Sequence, residues 1–377
     1  MTRTIPSEVL VRINDPGVSF DIHCHMFNYR CVPNGFLGIR LPFTRRFMGN
    51  LEEVLKFIGT LGKSEEITNA SYFIEMFGKS CLVIRDKLFA YYPASTIFCP
   101  LLMDMDDSIK GREKDNYADQ IAEMQQLCAD KPGRMLPFLC LNPLNPKMSD
   151  IYAKYFGTQT EFWGIKIYPS LGYLPSHPKL IEIFKDCAAK KIPVTVHCSA
   201  ATVHYNLTHH IKNIKSTRLV DGKQVVKTES GWYWSRDDFS RFNDPKNWVP
   251  VLQQVPDLIL NLAHFGGYEQ WEDYVKGKSN TWTGRILSLM QTYPGVYTDF
   301  AYTLFQRALH KPLRELIERN ELVRNRVLYG TDFYMVTLDG HFREVKTLFD
   351  LDMGDAILKQ IAFKNPRQFL FPEWEDV

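Results

Sequence analysis

The chain has 377 residues, with 45 Lys plus Arg against 43 Asp plus Glu and a formal charge of +2. A balance this even excludes an electrostatic footprint for nucleic acid, a membrane surface or a polyanionic partner. No apolar run approaches the ~18 residues of a membrane helix, the first ten residues hold no apolar signal segment, and the length suits one large barrel whose core needs no disulfides.

In chain order, β-like apolar runs fall at 18–26, 96–103, 135–141, 162–168, 193–199, 258–265, 295–301 and 326–333. Most are spaced as the βα units of a barrel are spaced. Their cores are apolar and β-rich, as expected of strands buried on both faces. Between them, 116–129 places Tyr117, Ile121, Met124 and Leu127 at helical steps, and 177–190 does the same with Leu180, Ile183, Phe184 and Cys187. Helical patterns also fall at 72–92, 302–320 and 342–349. Strand–helix alternation repeated this often predicts a closed (β/α)₈ TIM barrel. No G-x-G-x-x-G follows any strand, so a dinucleotide-binding sheet is disfavoured. With no linker and no internal repeat, 1–377 reads as a single domain.

Two connections are too long for simple βα loops: 28–94 after the first strand and 201–250 after the fifth. Both leave from the barrel face where active sites form. The first holds Arg40, Arg45 and Arg46, which could hold a substrate carboxylate or lie solvated. It also holds a helical stripe, Leu51, Leu55 and Ile58. The second contains His204, His209 and His210, most simply read as loop histidines. An Asp221-Gly222 pair between β-like runs predicts a hairpin. Trp232, Tyr233 and Trp234 are expected to cover the barrel mouth, with a small core of their own or a subunit contact as the competing reading. The eight cysteines include no C-x-x-C pair. Reduced, mostly buried thiols in a cytoplasmic protein are expected.

Chemistry concentrates at strand tips. Asp21-Ile22-His23-Cys24-His25 ends the first strand, and side-chain alternation would turn Phe20, Ile22 and Cys24 to the helices and His23 and His25 into the barrel mouth. Alone, an H-x-H pair is weak. Here His197 ends the fifth strand, His264 the sixth and Asp332 the eighth. Tips converge in a barrel, and so many ionisable groups buried together require a counter-charge; a divalent cation supplies it. Lys166 on the fourth strand has inward parity. Asp299 ends the seventh strand, as an orienting group or an ordinary hydrogen-bonded carboxylate. Cys24 and Cys198 read as packing residues.

These tips together resemble the signature of the amidohydrolase superfamily. The stretches DIHCH, GIKIYPSLGYLPSHP, PVTVHCS, LAHFGG, YTDFAY, YGTDFY and NPRQFL are similar to its amidohydrolase-related branch, which holds aminocarboxymuconate-semialdehyde and resorcylate decarboxylase-like enzymes as well as lactonases. The resemblance spans nearly the whole chain. It implies a metal held by His23, His25, His197 and Asp332, with His264 and Asp332 catalytic. Lys166 would be a substrate or second-shell cation in a one-metal site, or would bridge a second metal if carboxylated, unless it is structural. One divalent ion per chain is expected, zinc on the nitrogen-rich ligand set, with manganese or a second ion as alternatives. The implied activity is hydrolysis or decarboxylation of a small carbonyl or carboxylate compound. The competing class is a non-catalytic, metal-stabilised barrel that binds a partner. A homo-oligomer is left open.

Overall fold

Strands form at every barrel position read from the sequence. They are β1 (Phe20–Cys24), β2 (Ile97–Pro100), β3 (Phe138–Cys140), β4 (Gly164–Ile167) and β5 (Val194–Val196), then β8 (Leu260–Leu262), β9 (Val296–Asp299) and β10 (Val327–Leu328). The computed structural model describes residues 5–15, 17–32, 65–105, 116–158, 161–200, 216–220, 223–227 and 240–373. Between β5 and β8 lies the expected antiparallel pair of β6 (Ser216–Val220) and β7 (Lys223–Lys227), with Val220 opposite Lys223. The covering role expected of Trp232, Tyr233 and Trp234 falls outside the described residues. So do His204, His209, His210, Arg40, Arg45, Arg46 and the Leu51, Leu55, Ile58 stripe.

A parallel six-stranded sheet runs β10-β9-β8-β5-β4-β3, and β1 pairs with β2. Two seams join these into a barrel. Phe98 bridges Met135 and Leu101 bridges Phe138 between β2 and β3; Cys24 bridges Phe333 between β1 and the tip of β10. The second seam is tightened by Ile22 N–H donating to Tyr329 O at 3.0 Å and Asp332 N–H donating to His23 O at 2.7 Å. The fold is a (β/α)₈ TIM barrel.

The helices follow their sequence signals. Tyr117–Asp130 starts in a reciprocal cap between Asn116 and Asp119 and buries Tyr117, Ile121, Met124 and Leu127. Pro178–Lys190 carries proline in its first turn and buries Leu180, Ile183, Phe184 and Cys187. The 72–92 pattern is two helices, Glu65–Phe77 and Cys81–Phe89. No helix among the described residues is long and apolar enough to cross a membrane.

One expectation about β1 is corrected. Phe20 and Ile22 do not share a face with Cys24. They pack with Ile97, Cys99, Leu328 and Phe371 in the cluster that fills the barrel floor. His23 nonetheless reaches the mouth, because the β1–β2 register shifts between Asp21 and Cys24. The irregularity resets the alternation one residue before the histidine. Cys24, as expected, packs in the other core cluster.

Candidate metal centre

His23, His25 and Asp332 each offer a ligand atom, and the three atoms lie within 4.8 Å of one another in buried surroundings. The nearest approach is His25 Nε2 to Asp332 Oδ1 at 3.1 Å, with His23 Nε2 to the same oxygen at 3.7 Å. His23 Nε2 and Asp332 Oδ1 are buried without a hydrogen-bond partner. Buried polar atoms are rarely left so, and these two are neighbours.

The imidazoles are preset as ligands. His23 Nδ1 lies 3.0 Å from Asp299 Oδ2, and His25 Nδ1 lies 3.0 Å from Leu101 O. Both acceptors require N–H at Nδ1, which leaves lone pairs at Nε2, as in metal sites where a carboxylate or carbonyl orients the histidine. Burial pushes His23 down to about 4, so it is neutral near pH 7. Asp332 is ionised: burial works against it, but the close imidazoles of His25, His23 and His264 hold it well below the usual carboxylate range. A neutral imidazole beside an ionised carboxylate is what a divalent cation needs. The residues present fit such an ion.

His197 stands beside this group, through His264. His264 Nε2 lies 2.9 Å from His197 Nδ1, and the His264 ring is centred 4.8 Å from that of His23. His264 Nδ1 contacts Ala301 O at 3.0 Å, so in its neutral form Nε2 is the acceptor. His197 then donates from Nδ1 and keeps its lone pair at Nε2. The backbone at His264 is left-handed, with φ 67°, as is that at Asp332, with φ 57°. Such strain in non-glycine residues gathers at functional sites.

Asp299 has a role that sequence reasoning left undecided. Its Oδ2 accepts from Asn261 at 2.7 Å as well as from His23, and its Oδ1 accepts from the backbone N–H of His264 at 2.9 Å and Ala301 at 3.0 Å. One carboxylate therefore sets the His23 tautomer and the turn that carries His264. Burial opposes its charge, yet His23 and these donors hold it well below the usual range. Asp21 was missed as a positioning residue. It accepts from Thr331 Oγ1 at 2.6 Å, Tyr92 Oη at 2.7 Å and Thr331 N–H at 3.1 Å. It thereby ties the strand of His23 to the tip carrying Asp332. The signal available was its place at the head of the DIHCH run.

Lys166 is 1% exposed on β4, in register with Thr195 of β5, and its ammonium makes no hydrogen bond or ion pair among the described residues. Burial lowers it to about 8, against the pull of Asp332 and Asp299. It remains a cation near pH 7.

Known proteins fit this picture. The sequence model of a family described as amidohydrolase matches residues 84–371. The chain belongs to the amidohydrolase family. The matched span takes in Lys166, His197, His264, Asp299 and Asp332 and begins after His23 and His25. Membership makes this amidohydrolase an enzyme, a metal-dependent hydrolase or decarboxylase, and disfavours the non-catalytic barrel. Among proteins of curated function, none matches in sequence. Among solved structures, the amidohydrolase is similar in fold to an uncharacterised TIM-barrel protein of Bordetella bronchiseptica, with 13% identity, TM-score 0.53 and 94% and 98% of the two chains covered. A 5-carboxyvanillate decarboxylase of Novosphingobium aromaticivorans, solved with manganese and 3-methoxy-4-hydroxy-5-nitrobenzoic acid, has 13% identity and TM-score 0.55 over 98% and 99%. The 5-carboxyvanillate decarboxylase of Sphingomonas paucimobilis has 12% identity and TM-score 0.51 over 94% and 98%.

Proposed function

We propose that this amidohydrolase is a decarboxylase of small aromatic or unsaturated carboxylic acids, with His23, His25, His197 and Asp332 as ligands of one divalent cation. The observation that carries the reading is a buried lysine that makes no ion pair among the described residues, Lys166, in the barrel whose mouth holds the histidine–aspartate cluster. A buried ammonium is costly unless something pairs with it, and a substrate carboxylate is the anion that fits. The carboxyvanillate decarboxylases among its fold neighbours agree with this choice.

A bound divalent ion would polarise the substrate's oxygens and draw electron density from the reacting carbon. The chain's own groups handle charge and protons. Lys166 holds the carboxylate. As the C–CO₂ bond breaks, its electron pair stays on carbon, and a proton must reach that atom. Asp332 enters ionised, so it can pass on only a proton that it has first accepted. His264, with Nδ1 committed to Ala301 O, can hold a proton only at Nε2, where it is shared with His197. Burial lowers its affinity for that proton, so a protonated His264 is a ready donor. The nitrogen-rich set suits zinc, and manganese is the ion to compare, since the Novosphingobium neighbour holds it. Eight free cysteines fit a reducing, cytoplasmic setting.

The test is CO₂ release from a panel of hydroxybenzoic and unsaturated acids, with zinc- and manganese-loaded enzyme, beside turnover of esters and lactones. We expect CO₂ release. Ester or lactone cleavage with no CO₂ from any acid would replace decarboxylation with hydrolysis.

A further inference from the structure

A second cluster of ligand atoms lies outside the histidine site. The thiols of Cys31 and Cys81 and the carboxylate of Glu123 lie within 4.8 Å of one another, with both cysteines buried and the glutamate half-buried. They come from three separate places: the segment after β1, the first residue of the helix Cys81–Phe89, and the helix Tyr117–Asp130. Beside them is a cavity of about 20 Å³, lined also by Met26, Phe27 and Gln120. That is room for one water.

The chemistry of the three groups is unbalanced as it stands. No basic side chain pairs with any of them among the described residues. Hydrogen bonding to Cys31, burial and the nearby Glu123 push the Cys81 thiol far up, so without a cation that thiol stays protonated. The backbone nevertheless prepares it for anions. Cys81 opens a helix capped by Ser80, where the dipole favours a thiolate. Cys31 is fixed by its own N–H to Asn28 O at 3.0 Å and by Gln120 Nε2 donating to its carbonyl at 3.2 Å. Tetrahedral zinc with sulfur at about 2.3 Å has ligand–ligand edges of roughly 3.5–4 Å, and the 4.8 Å within which the three atoms lie admits them.

We propose that Cys31, Cys81 and Glu123 form a second metal site, taking one thiophilic divalent cation such as zinc, with a water in the adjoining cavity as fourth ligand. Binding releases the two thiol protons to solvent and leaves the thiolates on the metal. The ion pins the start of the long connection after β1 to two barrel helices, next to Phe27, whose ring lies 5.3 Å from that of His25. The site does not depend on the decarboxylase reading.

The experiment uses the full chain, stripped of metal, kept reduced with a phosphine, and titrated with Co²⁺. Thiolate ligation gives a near-ultraviolet charge-transfer band that histidine and carboxylate ligands do not. We expect that band to saturate at about one Co²⁺ per chain in the wild type and to persist in the His23→Ala/His25→Ala double variant. It should vanish in Cys31→Ser/Cys81→Ser, which should still take up its other cobalt. Should the serine variant not fold, Glu123→Gln removes one ligand at the half-exposed side and should weaken the cobalt affinity behind the band by roughly tenfold or more. Absence of the band in both wild type and the histidine variant overturns the proposal. So does a band that survives the serine substitutions, or one whose cobalt affinity Glu123→Gln leaves unchanged.

Discussion

At the residue scale, His264 and Asp332 stand close together but are asked for different things. Asp332 Oδ1 is an orphaned buried acceptor facing two imidazole lone pairs, whereas His264 spends both ring nitrogens on Ala301 and His197. Asp332→Asn should therefore lose metal and turnover together. His264→Asn should keep its metal and lose turnover by roughly 10²–10⁴-fold, the usual share of a positioned acid or base. Metal content per chain and kcat, measured on both variants, check this; an emptied site in His264→Asn would reverse the two roles. Asp299 makes a subtler case. Asparagine keeps its shape but offers an amide where His23 Nδ1–H needs an acceptor, so the imidazole can flip its tautomer and lose the lone pair at Nε2. Asp299→Asn should weaken metal affinity by about 10–100-fold in competition with a chelator. Unchanged affinity would mean that another group fixes His23. The proposed ligand set could be read in the sequence because each member ends an apolar strand. The support was less so. Asp21 and Asn261 make their contacts across the barrel, and their spacing carries no trace of those partners.

At the element scale, strand positions were readable and strand orientation was not wholly so. Long apolar runs mark burial on both faces, which is why every barrel strand fell where expected. Period-two alternation fails in β1 because the register shift lies between Asp21 and Cys24, and no residue type there announces it. Gly330 shows what that geometry needs. A Cβ on it would sit 2.6 Å from His23 Cβ, so the tip of β10 must lack a side chain where His23 crosses it. The outer layer is held by different means. Asp352, at the end of the helix Phe342–Met353, meets Arg307 Nε at 3.0 Å and His310 Nδ1 at 2.9 Å. Arg307 and then His310 hold its carboxyl below the usual range. A depressed carboxylate contributes stability that is full above its unfolded value of ~3.9 and is lost as pH falls through the folded value. Wild type should thus unfold at higher denaturant than Asp352→Asn at pH 6, and the gap should close below about pH 4. A gap that stays constant with pH would assign the loss to packing instead of charge.

At the scale of the whole molecule, the barrel closes unevenly. The six-stranded sheet has continuous ladders, while β1 meets the tip of β10 through one bridge and a few hydrogen bonds. His23, His25 and Asp332 sit on the two sides of that seam, so an ion they hold links the strands where the backbone links them least. Binding only the folded state stabilises by RT ln(1 + [L]/Kd), about 2.7 kcal/mol at a hundredfold excess over Kd. Chelation should therefore lower the melting temperature and raise amide exchange first at 20–25 and 329–333. Protection in β4, β5 and β8, whose partners flank them on both sides, should persist. The His23→Ala/His25→Ala variant separates this seam from any other site that a chelator strips: it should show the faster seam exchange without chelator and no further change there when chelator is added. Were exchange to rise equally across β4 and β5, or not at all at the seam, the ion would be a reactant's anchor with no part in closing the barrel.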